Sequence, residues 1–268
     1  MRYRGHRLSA NVSLLFAELP YIDRFAAARE AGFELVESWW PFAVPDPDPD
    51  LVDAFVTVID KADVSLSALN FFAGDMAAGQ RGLACVPDRQ DELAANVEVV
   101  VRIAERTGCR QFNLLYGQLD DRWSRAEQED TAVAAISSAA AAVAAVGGTV
   151  LLEPLSKGLN GAYPLLTADD VGALQGGPLR QVPNVSLLFD TFHLGNNGTD
   201  LVAAASELGG GLAHVQIADS PGRGEPGTGR LPLDATLDAL RRAGYGGVVA
   251  CEYRPVAETA AGLVWTRR

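Results

Sequence analysis

Four polar residues stand at the ends of short apolar runs. Glu153 follows Leu151-Leu152, Asp190 follows Leu188-Phe189, Gln216 follows His214-Val215, and Glu252 follows Ala250-Cys251. If the runs are neighbouring parallel strands, the four side chains reach the same mouth. Three carboxylates gathered in a low-dielectric site repel one another, so they either take up protons or bind a cation. Donors that are all oxygen favour a hard divalent ion, Mg²⁺ or Mn²⁺, over one that prefers thiolates. Three negative charges against a divalent ion leave about one, which suits a neutral or enediolate-forming substrate with cationic help from Arg223. The competing explanation is helix capping, and Glu153, placed before Pro154, fits it. Capping explains one such residue readily but four on successive strands poorly.

These side chains need a frame that aligns strand ends. Eight β-rich runs recur along the chain: Leu8 to Ser13, Leu35 to Trp40, Val64 to Asn70, Gln111 to Tyr116, Thr149 to Pro154, Val185 to Phe192, Ala213 to Asp219, and Val248 to Tyr253. Amphipathic stretches separate them: Tyr21 to Ala31, Pro49 to Ala62, Arg89 to Thr107, Arg125 to Val146, Ala168 to Leu174, Leu201 to Leu208, and Leu233 to Ala243, with a short one near Ala257 to Trp265. Gly32, Gly108, Gly147 and Gly244 each follow a helix candidate, where a left-handed C′ residue is expected. Ser124-Arg-Ala-Glu127 fits a reciprocal N-terminal capping box. The alternation predicts an α/β fold, a (β/α)8 TIM barrel formed as a single domain over residues 1–268, with its reactive face at the C-terminal strand ends. Ser9-Ala-Asn-Val-Ser13 after the first strand has no Gly-rich GxGxxG, which counts against a dinucleotide-binding sheet.

Other residues fall on the same predicted face. Asn70 ends the third strand and could reach a substrate, and His193, three residues past Asp190, could hydrogen-bond a substrate oxygen. Glu37, Trp39 and Trp40 end the second strand, where an aromatic wall and a subunit contact of a homo-oligomer explain the tryptophans equally well. The long connection Ala73 to Pro87 reads as a lid or as a surface excursion. His214 reads as a satisfied core histidine and His6 as part of a frayed terminus. Cys251 alternates with Glu252 and should face the helix layer, which argues against a catalytic thiol.

Composition narrows the partners. The 268 residues carry a formal net charge of −12, a surface that repels nucleic acid. With 48% hydrophobic and 21% charged residues the chain can bury a large core. No apolar stretch approaches the ~20 residues of a membrane span, and the N-terminus lacks the pattern of a secretion signal. Three widely spaced cysteines support neither a disulfide framework nor a zinc site, so a cytoplasmic setting is expected.

The chain resembles the hydroxypyruvate isomerase family, within the xylose isomerase-like barrels that include ketose 3-epimerases. The resemblance runs through Leu8-Ser-Ala-Asn-Val-Ser-Leu-Leu-Phe16, Ala73-Gly-Asp-Met-Ala-Ala-Gly-Gln-Arg-Gly82, Leu152-Glu-Pro154, Phe189-Asp-Thr-Phe-His193 and His214-Val-Gln-Ile-Ala-Asp219. It continues through Arg223-Gly-Glu-Pro-Gly-Thr-Gly229, Cys251-Glu-Tyr253 and Gly262-Leu-Val-Trp265. It implies a divalent metal held by Glu153, Asp190, Gln216 and Glu252, with Glu153 and Glu252 as the acid/base pair. It also implies substrate contacts from His193 and Arg223, and Asn70 and Glu225 join them as candidates. The reaction expected is interconversion of hydroxypyruvate and tartronate semialdehyde through an enediolate, with Arg223 clamping the substrate carboxylate. Arg230, Phe71-Phe72 and Ser156-Lys157 depart from the family pattern near the pocket. The nearest rivals are a ketose 3-epimerase and a 2-oxo-tetronate isomerase using the same glutamates. A DNA-repair endonuclease needs a histidine-rich metal cluster and a basic groove, and a non-enzymatic sensor would need neither the cation nor both glutamates.

Overall fold

Branched and aromatic side chains dominate the eight apolar runs, and in the computed structural model each forms a strand of one parallel sheet. The structure describes residues 1–267. A two-residue strand β1 (Arg2–Tyr3) precedes the barrel strands β2 (His6–Asn11), β3 (Leu35–Ser38), β4 (Ser65–Asn70), β5 (Gln111–Asn113), β6 (Thr149–Leu152), β7 (Val185–Asp190), β8 (His214–Ile217) and β9 (Val248–Cys251). Each strand pairs with the next, and β2 pairs in parallel with β9 from Arg7↔Val248 to Ala10↔Cys251, which closes the barrel. A closed sheet has no exposed edge, and it brings residues far apart in sequence to opposite walls of one interior.

The helices pack outside. The largest are α2 (Pro49–Lys61), α3 (Gln90–Thr107), α4 (Arg125–Ala144) and α8 (Leu233–Arg242), and each buries an apolar stripe. Gly32, Gly108, Gly147 and Gly244 all have positive φ, as their positions after helices predict. The reciprocal capping box expected at Ser124 is only half formed, since Ser124 Oγ accepts from Glu127 N at 3.2 Å. The full box lies at Thr167 and Asp170, which start α5 (Ala168–Gly176). Among the described residues no helix is long and apolar enough to cross a membrane.

Most of the runs extend two or three residues past their strands, which end at Ser38, Asn113, Leu152, Ile217 and Cys251, and two further expectations need a physical correction. The sixth run, read as a strand through Phe192, ends at Asp190, because Asp190 Oδ1 accepts the N–H groups of Phe192 (2.7 Å) and His193 (3.2 Å) and starts α6 (Thr191–Asn196). His6 is not in a frayed terminus. It lies in β2, only 4% exposed, with Nε2 2.9 Å from the Leu237 carbonyl. The terminus is ordered because β1 folds back on β2, and Tyr3 and Arg4 bond Asp234 and Asp238 on α8. Trp265 closes that end of the molecule against Tyr3 and Tyr253.

Candidate active site

At the C-terminal strand ends lies a cavity of about 340 Å³ whose walls include Asn70, Glu153, His193, Arg223 and Glu252. Glu153, Asp190, Gln216 and Glu252 are each no more than 3% exposed. Each spends one side-chain atom on the protein. Glu153 Oε2 accepts from Asn113 Nδ2 (2.6 Å), and Asp190 Oδ1 caps α6. Gln216 Nε2 donates to Glu37 (2.9 Å), and Glu252 Oε1 accepts from Arg223 (2.6 Å) and Trp39 Nε1 (3.2 Å). The second atom of Glu153, Gln216 and Glu252 has no partner although it is buried. That of Asp190 meets only Arg223, at 3.4 Å, and approaches His193. Buried polar atoms without partners are costly, so three orphaned oxygens beside a weakly satisfied fourth fit a cation-binding donor set.

Charge points the same way. Burial, aided by Asp190, pushes the Glu153 carboxyl up to about 8, and burial drives Glu252 well above the usual carboxylate range. Burial also raises Asp190, although Arg223 opposes the shift. Burial alone would lower Arg223, but the carboxylates of Glu252, Asp190 and Glu153 together hold it above its ordinary value. Arg223 has φ +56°, a left-handed conformation costly for a residue with a Cβ, and in this backbone pose its guanidinium reaches the carboxylates. One guanidinium cannot balance three carboxylates, so protons or a metal must supply the rest.

Glu153, Asp190 and His193 offer ligand atoms within 4.8 Å of one another, a group that could hold a metal. The hydrogen bonding of His193 narrows its role. Its Nδ1 accepts the Ser156 backbone N–H at 2.9 Å, so the neutral ring carries its proton on Nε2. Burial, reinforced by Arg223 and Arg81, holds the imidazole well below its usual range and therefore neutral. Nε2 lies 3.7 Å from Glu153 Oε1 and 3.8 Å from Asp190 Oδ2, and as N–H it is a donor. His193 is thus built to give a hydrogen bond into the cavity, which leaves cation binding to the oxygens.

Beneath the cavity is a network that strand-end reading did not identify. The Glu37 carboxylate accepts from Asn11 Nδ2 (2.9 Å), Gln216 Nε2 (2.9 Å) and His214 Nε2 (2.7 Å). A carboxylate is only an acceptor, so Gln216 must turn its NH₂ down to Glu37 and its Oε1 up into the site. The β3–β4 register shifts between Val36 and Glu37, the kind of irregularity that re-aims a side chain. His214 is the buried, partnered core histidine expected, and its partner supports a site residue.

The fold and this constellation match known proteins. The family model for xylose isomerase-like TIM barrels covers residues 25–268. The chain belongs to this family. A Streptomyces coelicolor relative, provisionally named a hydroxypyruvate isomerase, is 39% identical over 95% of this chain and 93% of its own length. The hydroxypyruvate isomerase of Escherichia coli is 32% identical over 97% of each chain, and the 2-oxo-tetronate isomerase of Haemophilus influenzae 31% over 98% of each. Among solved structures, a Brucella melitensis protein titled AP endonuclease, family 2, superposes with a TM-score of 0.86 at 32% identity over 97% of each chain. As a member of the xylose isomerase-like family with these relatives, the protein is an isomerase acting on a small substrate of the sugar-acid type.

Within this family frame the remaining candidates separate. Asn70 lines the cavity, whereas Glu225 does not: its Oε2 accepts the Val256 N–H at 3.0 Å and its carboxylate lies against Gly262. Arg223 reaches the site but is engaged with Glu252 and Asp190. Trp39 reaches Glu252 through Nε1, while Trp40 bonds the Val44 carbonyl. Cys251 is buried, and burial raises its thiol far above the range in which thiolates form. Of the residues departing from the family pattern, Ser156 touches His193 directly, and Phe71 packs against Phe112 in the core. The connection after β4 contributes Met76, Ala77 and Arg81 to the cavity wall.

Proposed function

We propose that this isomerase interconverts hydroxypyruvate and tartronate semialdehyde. In this reading Glu153, Asp190, Gln216 and Glu252 hold one Mg²⁺ or Mn²⁺ ion, and residues 1–268 act as one domain in the cytoplasm. When bound, the ion supplies Lewis-acid stabilisation to negative charge developing on two neighbouring substrate oxygens. One of the glutamate pair, Glu153 or Glu252, takes a proton from the hydroxymethyl carbon C3, and the electron pair moves to give an enediolate. The other glutamate delivers a proton to C2 while the hydroxyl proton on O3 passes to O2, leaving an aldehyde at C3 and a hydroxyl at C2. The Nε2–H of His193 donates to a substrate oxygen as its charge grows. Arg223 holds Glu252 and lowers the cost of gathering the carboxylates.

The observation that carries the proposal is the buried, unpartnered oxygen on each of Glu153 and Glu252, which line the cavity, and on Gln216. Both glutamates are buried and raised in pKa, which suits groups that exchange protons with carbon acids near neutral pH. A DNA-repair role lacks support from the histidines, since His6 and His214 are core residues and only His193 faces the cavity. The test is a panel of hydroxypyruvate, tartronate semialdehyde, 2-oxo-tetronate and free ketoses, assayed with added Mg²⁺ or Mn²⁺. Hydroxypyruvate should have the highest kcat/KM, and preference for a free ketose would overturn the assignment.

A further inference from the structure

Three arginines line the cavity, Arg81, Arg223 and the exposed Arg254, and the surroundings of the half-buried Arg81 differ from those of Arg223. Its Nε donates to Asn160 Oδ1 (3.0 Å), and its Nη1 donates to the carbonyls of Met76 (3.0 Å) and Gln80 (2.7 Å). These acceptors are neutral. Among the described residues no carboxylate pairs with Arg81, and its Nη2 has no protein partner. Burial and the nearby Arg223 both depress its pKa, so the positive charge is held at an electrostatic cost that no protein anion offsets.

The pose is fixed from several sides. Asn160 is buried and donates through Nδ2 to the Ser156 carbonyl (3.1 Å), while Gln118 Nε2 bonds both the Asn160 and Gly79 carbonyls. The next residue, Gly82, has φ +104° and pairs with Tyr116, and a Cβ there would lie 2.1 Å from the Leu115 carbonyl oxygen. The backbone carrying Arg81 is therefore pressed directly onto the chain after β5. A guanidinium that is pre-oriented, half-buried and without a counter-ion is suited to a carboxylate, because part of the desolvation is already met and the free Nη2 can donate to a carboxylate oxygen in a charge-assisted bond.

We infer that Arg81, and not Arg223, binds the substrate carboxylate and so sets the preference for a short 2-oxo acid over an uncharged ketose. This rests on the isomerase reading above. It gives the cavity a polarity, with Glu153, Glu252 and Arg223 around the reacting carbons and Arg81 at the acid end. Arg223 differs in charge rather than in free donors: its Nε has no partner, but its positive charge is already offset by Glu252 at 2.6 Å and Asp190 at 3.4 Å, whereas that of Arg81 is not.

The experiment compares wild type, Arg81→Gln and Asn160→Ala, all checked for folding by thermal melts. It measures KM for hydroxypyruvate and inhibition constants for pyruvate, which keeps the carboxylate, and for dihydroxyacetone, which lacks it. Arg81→Gln should raise the hydroxypyruvate KM and the pyruvate constant by about tenfold or more and the dihydroxyacetone constant by less than about threefold. Asn160→Ala, which keeps the charge but loosens its support, should shift the pyruvate constant in the same direction by a smaller factor. Equal shifts for all three ligands in Arg81→Gln, or none for pyruvate, would overturn the inference while wild-type turnover still upheld the isomerase. Wild-type protein that neither binds nor converts any 2-oxo acid would defeat both.

Discussion

Replacing Glu37 with Gln tests whether a residue that never faces substrate controls the donor set. The carboxylate accepts three hydrogen bonds, from Asn11, Gln216 and His214. An amide in its place offers one acceptor oxygen and one NH₂ group, so either the His214 ring changes tautomer and accepts from that NH₂ or one of the three donors meets another donor. If Gln216 relieves the clash by turning over, it presents NH₂ in place of Oε1 to the cation and a ligand is lost. If it does not, a buried donor stays unpaired at about 1–3 kcal/mol. Substitutions that disturb the support of metal ligands commonly weaken binding about 10–100-fold. Calorimetric titration of chelator-stripped protein with Mn²⁺ should show a loss in that range for Glu37→Gln. Asn11→Ala removes one donor to the same oxygen but leaves Gln216 held, so it should change Mn²⁺ affinity by less than about threefold. Glu37→Leu, in which no tautomer of His214 restores the lost acceptor, should lose at least as much, and wild-type Mn²⁺ affinity in both folded variants would contradict the role of Glu37.

The response of the metal-free protein to pH follows from Glu153. Its folded pKa is about 8 against an ordinary 4.5, so between those values the folded state keeps a proton that the unfolded chain has lost, and stability falls as pH rises. In the proposed site a divalent ion would take the proton's place, so Mn²⁺ should raise Tm more at pH 8 than at pH 6 in scanning fluorimetry, and an equal rise at both would contradict the donor set. Ser156→Pro removes the backbone N–H that fixes the His193 tautomer, whereas Ser156→Ala keeps it and loses only the hydroxyl contact to the same Nδ1 at 2.8 Å. Provided both variants melt like wild type, Ser156→Pro should lower kcat by about tenfold or more and Ser156→Ala by less than about threefold. Equal kcat values would remove His193 Nε2–H from the mechanism.

Much of this molecule is written in local pattern. Apolar runs punctuated by Gly32, Gly108, Gly147 and Gly244 marked the alternation of strands and helices, and polar residues at the ends of four runs marked the mouth. Local pattern failed at Asp190, where one carboxylate both ends a strand and caps the next helix, so an apolar sequence through Phe192 read as continuous strand. It failed at His6 because the order of the terminus depends on α8, more than 200 residues away. The pairing of Glu37 with Gln216 and His214 arises only in the folded barrel, since the partners lie 179 and 177 residues further along the chain. Arg81 lies in an irregular connection with no periodicity, where only the bonds to Asn160, Met76 and Gln80 reveal its direction.

In the proposed isomerisation Glu153 and Glu252 carry different protons. Manganese-loaded protein incubated with hydroxypyruvate in D₂O, sampled by proton NMR before back-reaction, tests it directly. A two-glutamate transfer predicts tartronate semialdehyde carrying solvent deuterium at C2 from the first turnovers, and a rate at least about a hundredfold lower in Glu153→Gln and in Glu252→Gln. Product that retains the substrate's own hydrogen at C2, or undiminished turnover in either variant, would contradict the account.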